Sequence, residues 1–264
     1  MNSTQMAQAA AMIHDELRLK SLPVGLKLFA SDPDWPDKTR LPLKHLKKRI
    51  TICQAMTLAR VYRWTVGLTA EDIVCVPARL AFGQTPAENP RRLLSSFFCR
   101  AGWSRDEASA SREVAQMPFA EPGSIKAMAL APLSKGLFEP DCAVFYGNPA
   151  QIMRLVHGWS YAEGTTVQGS FGGKVECSEY LLAPVQSGEA RVSIPGNGDR
   201  IMSMTQDEEM VFSLPAAGLE KLAQGLEQAG RSVGARYPVP FYQNFEPEFP
   251  QMFSELAEEA GIDH

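Results

Sequence analysis

Apolar residues recur at helical spacing over residues 3–19, at Met6, Ala9, Ala10, Ile13 and Leu17, and beyond Pro23 they become the continuous run 24–29. The first pattern predicts a helix with one buried face and the second a strand. Pro33, Pro36 and Pro42, set among Asp32, Asp34 and Asp37, predict a surface loop over 31–42. A helix is expected after Thr51, whose hydroxyl suits an N-cap, through Ala55, Met56, Ala59, Arg60 and Trp64. The β-branched segment Ile73-Val74-Cys75-Val76, closed by Pro77, predicts a short strand with Cys75 on or beside it.

Further on, Pro86, Asn89 and Pro90 open a helix over 91–99, and a polar, alanine-rich tract follows at 106–115. Together they predict a helical insertion or lid near 86–120. Residues 126–133 and 142–146 have the composition of buried strands, the second turning at Gly147-Asn148-Pro149 into a helix over 150–161. The glycine-rich stretch 164–173 and the residues after it, to 182, suggest strands or a close-approach loop around Cys177. Segments 191–194 and 201–204 read as two strands joined by the turn 195–200, with another strand at 210–214. Leu219, Leu222, Ala223, Leu226 and Ala229 mark the most regular helix, over 216–230, and 250–261 predicts a last surface helix. The expected fold class is α/β or α+β, a mixed sheet with flanking helices, in a single compact domain over 1–264.

Composition agrees with a packed core, since 45% of the 264 residues are hydrophobic and 21% charged. A net charge of -4 argues against nucleic acid as a partner. No apolar run reaches the roughly 18 residues that a spanning helix requires. The start carries His14, Asp15 and Glu16 where a secretory leader would be apolar, so a cytoplasmic protein away from membranes is expected. The five cysteines, Cys53, Cys75, Cys99, Cys142 and Cys177, are odd in number and scattered. In a reducing compartment they are thiols or cofactor ligands and not a disulfide framework.

Cys53 is the leading chemical candidate. It falls at the expected helix start just after Lys47, Lys48 and Arg49, where dipole and charge favour a thiolate. It suits a nucleophile, a redox thiol or a metal ligand, with burial as a small apolar side chain the competing role. Cys75 and Cys177 are its expected companions, Cys99 a further one from the insertion, and Cys142 a core residue of its strand. No C-x-x-C pair exists, so a shared metal site has to be assembled by the fold. The four histidines form no H-x-x-x-H pair, and a G-x-S-x-G elbow, a P-loop and a strand-to-helix G-x-G-x-x-G are all missing from the sequence. In the turn Gly196-Asn197-Gly198-Asp199-Arg200, Gly198, Asp199 and Arg200 are substrate-binding candidates, the glycines for close approach and the arginine for a carboxylate or phosphate. A plain hairpin turn is the alternative.

Pro23-Val24-Gly25-Leu26-Lys27-Leu28, Arg49-Ile50-Thr51-Ile52-Cys53-Gln54-Ala55 and Tyr146-Gly147-Asn148-Pro149-Ala150-Gln151 together resemble the domain of unknown function 169 family. The turn at 196–200, Asp207-Glu208-Glu209 and Phe212-Ser213-Leu214-Pro215 extend the likeness over most of the chain. That family has no settled activity, so the resemblance implies the fold unit and the thiol positions more than a reaction. The leading expectation is a cofactor-binding protein of redox metabolism. In it Cys53, Cys75 and Cys177, with Cys99 a further candidate, hold an iron-sulfur cluster or another thiophilic metal. A metal-free enzyme with Cys53 as nucleophile and Gln54 or Arg200 orienting a small anionic substrate is the alternative. A small-molecule binding protein with structural cysteines is the third. A small-molecule ligand or a redox partner fits all three readings.

Overall fold

In the computed structural model, which describes residues 2–239, 243, 245 and 249–262, the apolar run at Val24 lies inside a seven-stranded sheet. The first half of the chain forms α1 (Ser3–Leu17), β1 (Val24–Phe29), α2 (Pro42–His45), α3 (Ile52–Arg60), β2 (Val66–Thr69), α4 (Val76–Ala81), α5 (Pro90–Arg100) and α6 (Glu107–Gln116). The second half forms β3 (Ala127–Pro132), β4 (Cys142–Gly147), α7 (Pro149–Glu163), β5 (Gln168–Gly169), α8 (Glu176–Ser187), β6 (Arg191–Ser193), α9 (Asn197–Met202), β7 (Met210–Pro215), α10 (Leu219–Gln228) and α11 (Gln251–Ala260).

The strand order is β2-β3-β1-β4-β7-β6-β5. Every neighbouring pair is antiparallel except β5 and β6, so the sheet is mixed, as expected. Leu26 sits opposite Leu130 of β3 and Cys142 of β4, which fixes the register at the centre. Side chains alternate across the sheet. Cys142, Val144 and Tyr146 of β4 face one side with Val24 and Leu26, where α3, α4 and α8 cover them. Ala143 and Phe145 face the other with Phe212 and Leu214, under α1, α7 and α10. Helices on both faces bury both sides of the sheet, which explains why β3 and β4 read as unbroken apolar runs rather than alternating ones.

On the second face α7 and α10 approach backbone to backbone. A Cβ on Gly225 would stand 2.0 Å from the Gly158 carbonyl oxygen, so both glycines are required by close packing. The segment expected to be an insertion or lid is helical: α5 and α6 pack on each other through Leu94, Phe98, Ala110 and Val114, and on the body through Leu80 and Met117. Among the described residues no helix is long and apolar enough to cross a membrane.

Three segments fold otherwise than expected. Residues 73–76 are not a strand: Ile73 makes a single bridge to Ile50, and Pro77 starts α4 instead of closing a strand, because a proline is well tolerated in a first helical turn. Cys75 therefore stands immediately before a helix. Segment 201–204 is no strand either, since the Asp199 carboxylate accepts the Gly196 N–H at 3.1 Å and turns 197–202 into α9. The region around Cys177 is neither strand nor loop but the first turn of α8.

Candidate functional site

On the face covered by α3, α4 and α8 the starts of several helices meet around sulfur. Thr51 caps α3: its Oγ1 accepts the Gln54 N–H at 3.0 Å, and the Gln54 Oε1 accepts the Thr51 N–H at 2.9 Å. That reciprocal cap fixes the first turn and leaves Cys53, the second helical residue, half-buried. It also draws the side chain of Gln54, a residue expected to orient a substrate, back onto the cap through its oxygen. Cys177 holds the matching place, second in α8, and is 3% exposed. The two thiols interact, each lying in the first turn of its helix on this face. Cys75, half-buried before α4, feels the charge of Cys53 and acts in turn on Cys177.

The surroundings hold Cys75 and Cys177 in their protonated forms. The hydrogen bond with Cys53, then burial, push the Cys177 thiol well above the ordinary thiol range. Burial does the same to Cys75. Lys47, Lys48 and Arg49, expected to favour a thiolate, are exposed to solvent.

Asp199 closes the site from α9. It is 2% exposed. Its Oδ1 accepts the Tyr180 hydroxyl at 2.9 Å and, more weakly, the Tyr146 hydroxyl at 3.5 Å, while Oδ2 takes the Gly196 N–H. Cys53 acts on the same carboxylate, helping to hold its ionised form. Burial raises the Asp199 carboxyl above the usual range, against the pull of its donors. Gly198 lies beside Cys53, where a Cβ would stand 3.5 Å from Sγ. Gly196 is needed for space, since a Cβ there would meet the Glu176 Cγ at 2.8 Å.

Two further buried groups brace the site. Glu176 accepts N–H bonds from Gly172 and Gly173 through Oε1 and the Ser193 hydroxyl at 2.9 Å through Oε2, tying the start of α8 to the glycine-rich loop and to β6. Arg60 lies over the Tyr146 ring, 4.1 Å from its centroid, and forks onto Glu209 at 2.6 and 3.1 Å. Thr57 donates its hydroxyl to the Ser203 carbonyl, pinning α9 along α3.

Of the residues expected in the site, Cys53, Cys75, Cys177, Gly198 and Asp199 are brought together. Arg200 is turned away, its guanidinium donating to the carbonyls of Gln206 at 2.6 Å and Glu209 at 3.4 Å, where it ties down the loop before β7. Cys99 lies in the last turn of α5, in the insertion, and is not among the groups whose charge acts on Cys75 or Cys177. Cys142 is a core residue as expected, fully enclosed, its thiol pushed far up by burial. Tyr146, Tyr180, Arg60 and Glu176 were not anticipated. Arg60 alone carried a signal, a charge among the apolar positions of its helix. As placed, and among the described residues, no group of three or more His, Cys, Asp or Glu is drawn closely enough around one point to hold a metal ion.

A family model described as DUF169, uncharacterised ArCR, matches residues 12–225. The chain belongs to this family. The DUF169 match spans the whole sheet and every residue of the thiol site, from Cys53 to Glu209. The uncharacterized protein MJ0308 of Methanocaldococcus jannaschii is 25% identical over 230 residues, which cover 86% of this chain and 96% of that protein. No solved structure matches the chain significantly.

Proposed function

We propose that this DUF169 protein is a thiol-redox enzyme that exchanges disulfides through Cys53 and Cys177, in a reducing, cytoplasmic compartment. The observation that carries the reading is a half-buried thiol and an enclosed one, each in the first turn of its own helix on one face of the sheet, with the charge of Cys53 acting on Cys177. Such a pair divides the labour of exchange. The Cys53 sulfur attacks one sulfur of a substrate disulfide, on a small molecule or a partner protein. A Cys53–substrate bond forms, the substrate S–S bond breaks, and the leaving thiolate takes up a proton. Cys177 then attacks the Cys53 sulfur, the second substrate thiol departs with a proton, and a Cys53–Cys177 disulfide remains. The substrate is reduced and the enzyme oxidised, and a cellular dithiol returns it to the starting state.

The test is oxidation of the anaerobically purified protein with glutathione disulfide, followed by peptide mapping. A Cys53–Cys177 cross-link is expected. Cysteines that stay reduced, or pair at random, overturn the reading. A thiolate-ligated metal centre, an iron-sulfur cluster included, is the second reading, favoured by Cys75, because a dithiol has no need of a third thiol. Iron, sulfide and zinc measured on the same preparation, with its visible spectrum, decide it: a colourless, metal-free protein that folds normally rules it out.

A further inference from the structure

We propose that the cleft between α6 and α8 binds a small molecule with one protonated nitrogen group, an amine, amidine or guanidine, which Glu179 receives. The cleft measures about 360 Å³, within the range of small-molecule sites. Arg112 and Glu113 of α6 line it, with Phe171 of the glycine-rich loop and Glu179 of α8. Among the described residues no cysteine lines it, and Glu179, two places after Cys177, leaves α8 in another direction. The inference therefore stands apart from the exchange reading. The walls of the cleft are held in place. Lys174 of the loop grips both oxygens of Glu113, at 2.6 and 2.7 Å, and donates to the Trp103 carbonyl at 3.1 Å. Gly172 and Gly173 give their N–H groups to Glu176. Phe171 folds over Gly169, where a Cβ would stand 2.8 Å from the ring.

Glu179 is 8% exposed, and among the described residues no hydrogen bond or ion pair reaches its carboxyl. The two charged groups that act on it are taken, Glu176 by the loop N–H groups and the Ser193 hydroxyl, and Arg191 by Glu189 at 3.3 Å. A carboxyl so enclosed and without a donor is costly to keep. Glu113, the other acid that lines the cleft, is matched by Lys174, so Glu179 is the one left for a ligand. A protonated nitrogen group supplies a positive charge and N–H donors together, which is what this carboxyl lacks. Phe171 is 53% exposed and offers its ring to the cation or to the stem that carries it. The exposed Arg112, which donates to the Ser109 hydroxyl at 3.1 Å, adds a positive charge to the lining. That disfavours a molecule cationic along its whole length and suits one with a single cationic head.

Benzamidine, an amidinium on a flat ring, is the probe, titrated with the full chain at about pH 8 and followed by ligand-observed NMR, beside its neutral analogue benzamide. Saturable binding of benzamidine is expected, with benzamide weaker by on the order of tenfold or more. Glu179→Gln keeps the shape of the side chain and removes its charge; it is expected to weaken benzamidine by a similar factor and to leave benzamide unchanged. Phe171→Ala alters only an exposed ring, so the fold is not at stake, and is expected to weaken benzamidine about two- to fivefold. Benzamidine that fails to saturate, that binds no better than benzamide, or that is held as tightly by either variant as by the wild type overturns the inference. So does spermidine binding more tightly than benzamidine, because that is the general pull on cations of a chain with a net charge of -4. None of these results bears on exchange through Cys53 and Cys177, which the cross-link decides separately.

Discussion

The Glu179→Gln substitution tests whether burial sets the charge states on α8. Glu179 lies one turn into the helix, 8% exposed, beside a cleft lined by Ser109 and Arg112 of α6 and by Phe171. Burial, then the nearby Glu176, raise its carboxyl from the ordinary 4.5 to about 7, with Arg191 pulling the other way. Below 4.5 the side chain is neutral in both the folded and unfolded chain and costs nothing. Between 4.5 and about 7 the unfolded chain releases the proton and the folded chain keeps it, so stability falls as pH rises. At ~1.4 kcal/mol per unit, the whole effect is about 3 kcal/mol, most of it arising between about pH 5 and pH 8. Gln keeps the shape and removes the titration. Urea unfolding of both proteins at the two pH values is the assay. The variant is expected to match the wild type within about 1 kcal/mol at the lower pH and to exceed it by about 3 kcal/mol at the higher. If the wild type and variant lose the same stability between the two pH values, Glu179 titrates normally in the fold and the argument fails.

Three other outcomes follow from the packing. Glu209→Leu is expected to cost about 3–5 kcal/mol in the same assay, because it leaves the Arg60 guanidinium buried and unpaired; adding Arg60→Met should restore most of the loss. Gly225→Ala forces a methyl group against the Gly158 carbonyl, so α7 and α10 must part, at a cost of about 1–3 kcal/mol, read as a lower unfolding midpoint. Cys142 is expected to resist iodoacetamide in the native protein and to react only on unfolding, with peptide mapping as the readout; rapid labelling at native conditions would contradict its enclosure in β4.

Elements whose burial follows a simple period were legible in the sequence, and those whose burial comes from all sides were not. α1 and α10 each lean one apolar stripe on the sheet, so their spacing marks them. α8 was hidden because it is enclosed on every side: Glu176, Cys177, Ser178, Glu179, Tyr180, Leu181 and Leu182 are all buried, which erases the stripe and mixes acids into the core. Residues 73–76 had a strand's composition, and the position of Pro77 overrode it. The thiols were found by their chemistry, independently of structure. The groups that tune them were not, because Tyr146 and Tyr180 look like ordinary core aromatics until β4 and α8 set their hydroxyls on one carboxylate oxygen. Asp199 was singled out, but beside Arg200 and for ligand binding. In a helix the two side chains diverge, and only the acid faces the sulfur.

The two acids on this face show how position assigns chemistry. Glu209 and Asp199 are both enclosed, and both belong to the segment that leads into β7. Glu209 meets a guanidinium edge on, two oxygens to two nitrogens, so its charge is matched. The same guanidinium lies over Tyr146, and the Tyr146 hydroxyl leans on Asp199, so Arg60 acts on the second acid through its charge and without an ion pair. Had Arg60 paired with Asp199, Glu209 would have been left buried without its cation. As folded, one acid is matched by a guanidinium and the other is satisfied by two hydroxyls and a backbone N–H, while burial still raises the Asp199 carboxyl above the usual range.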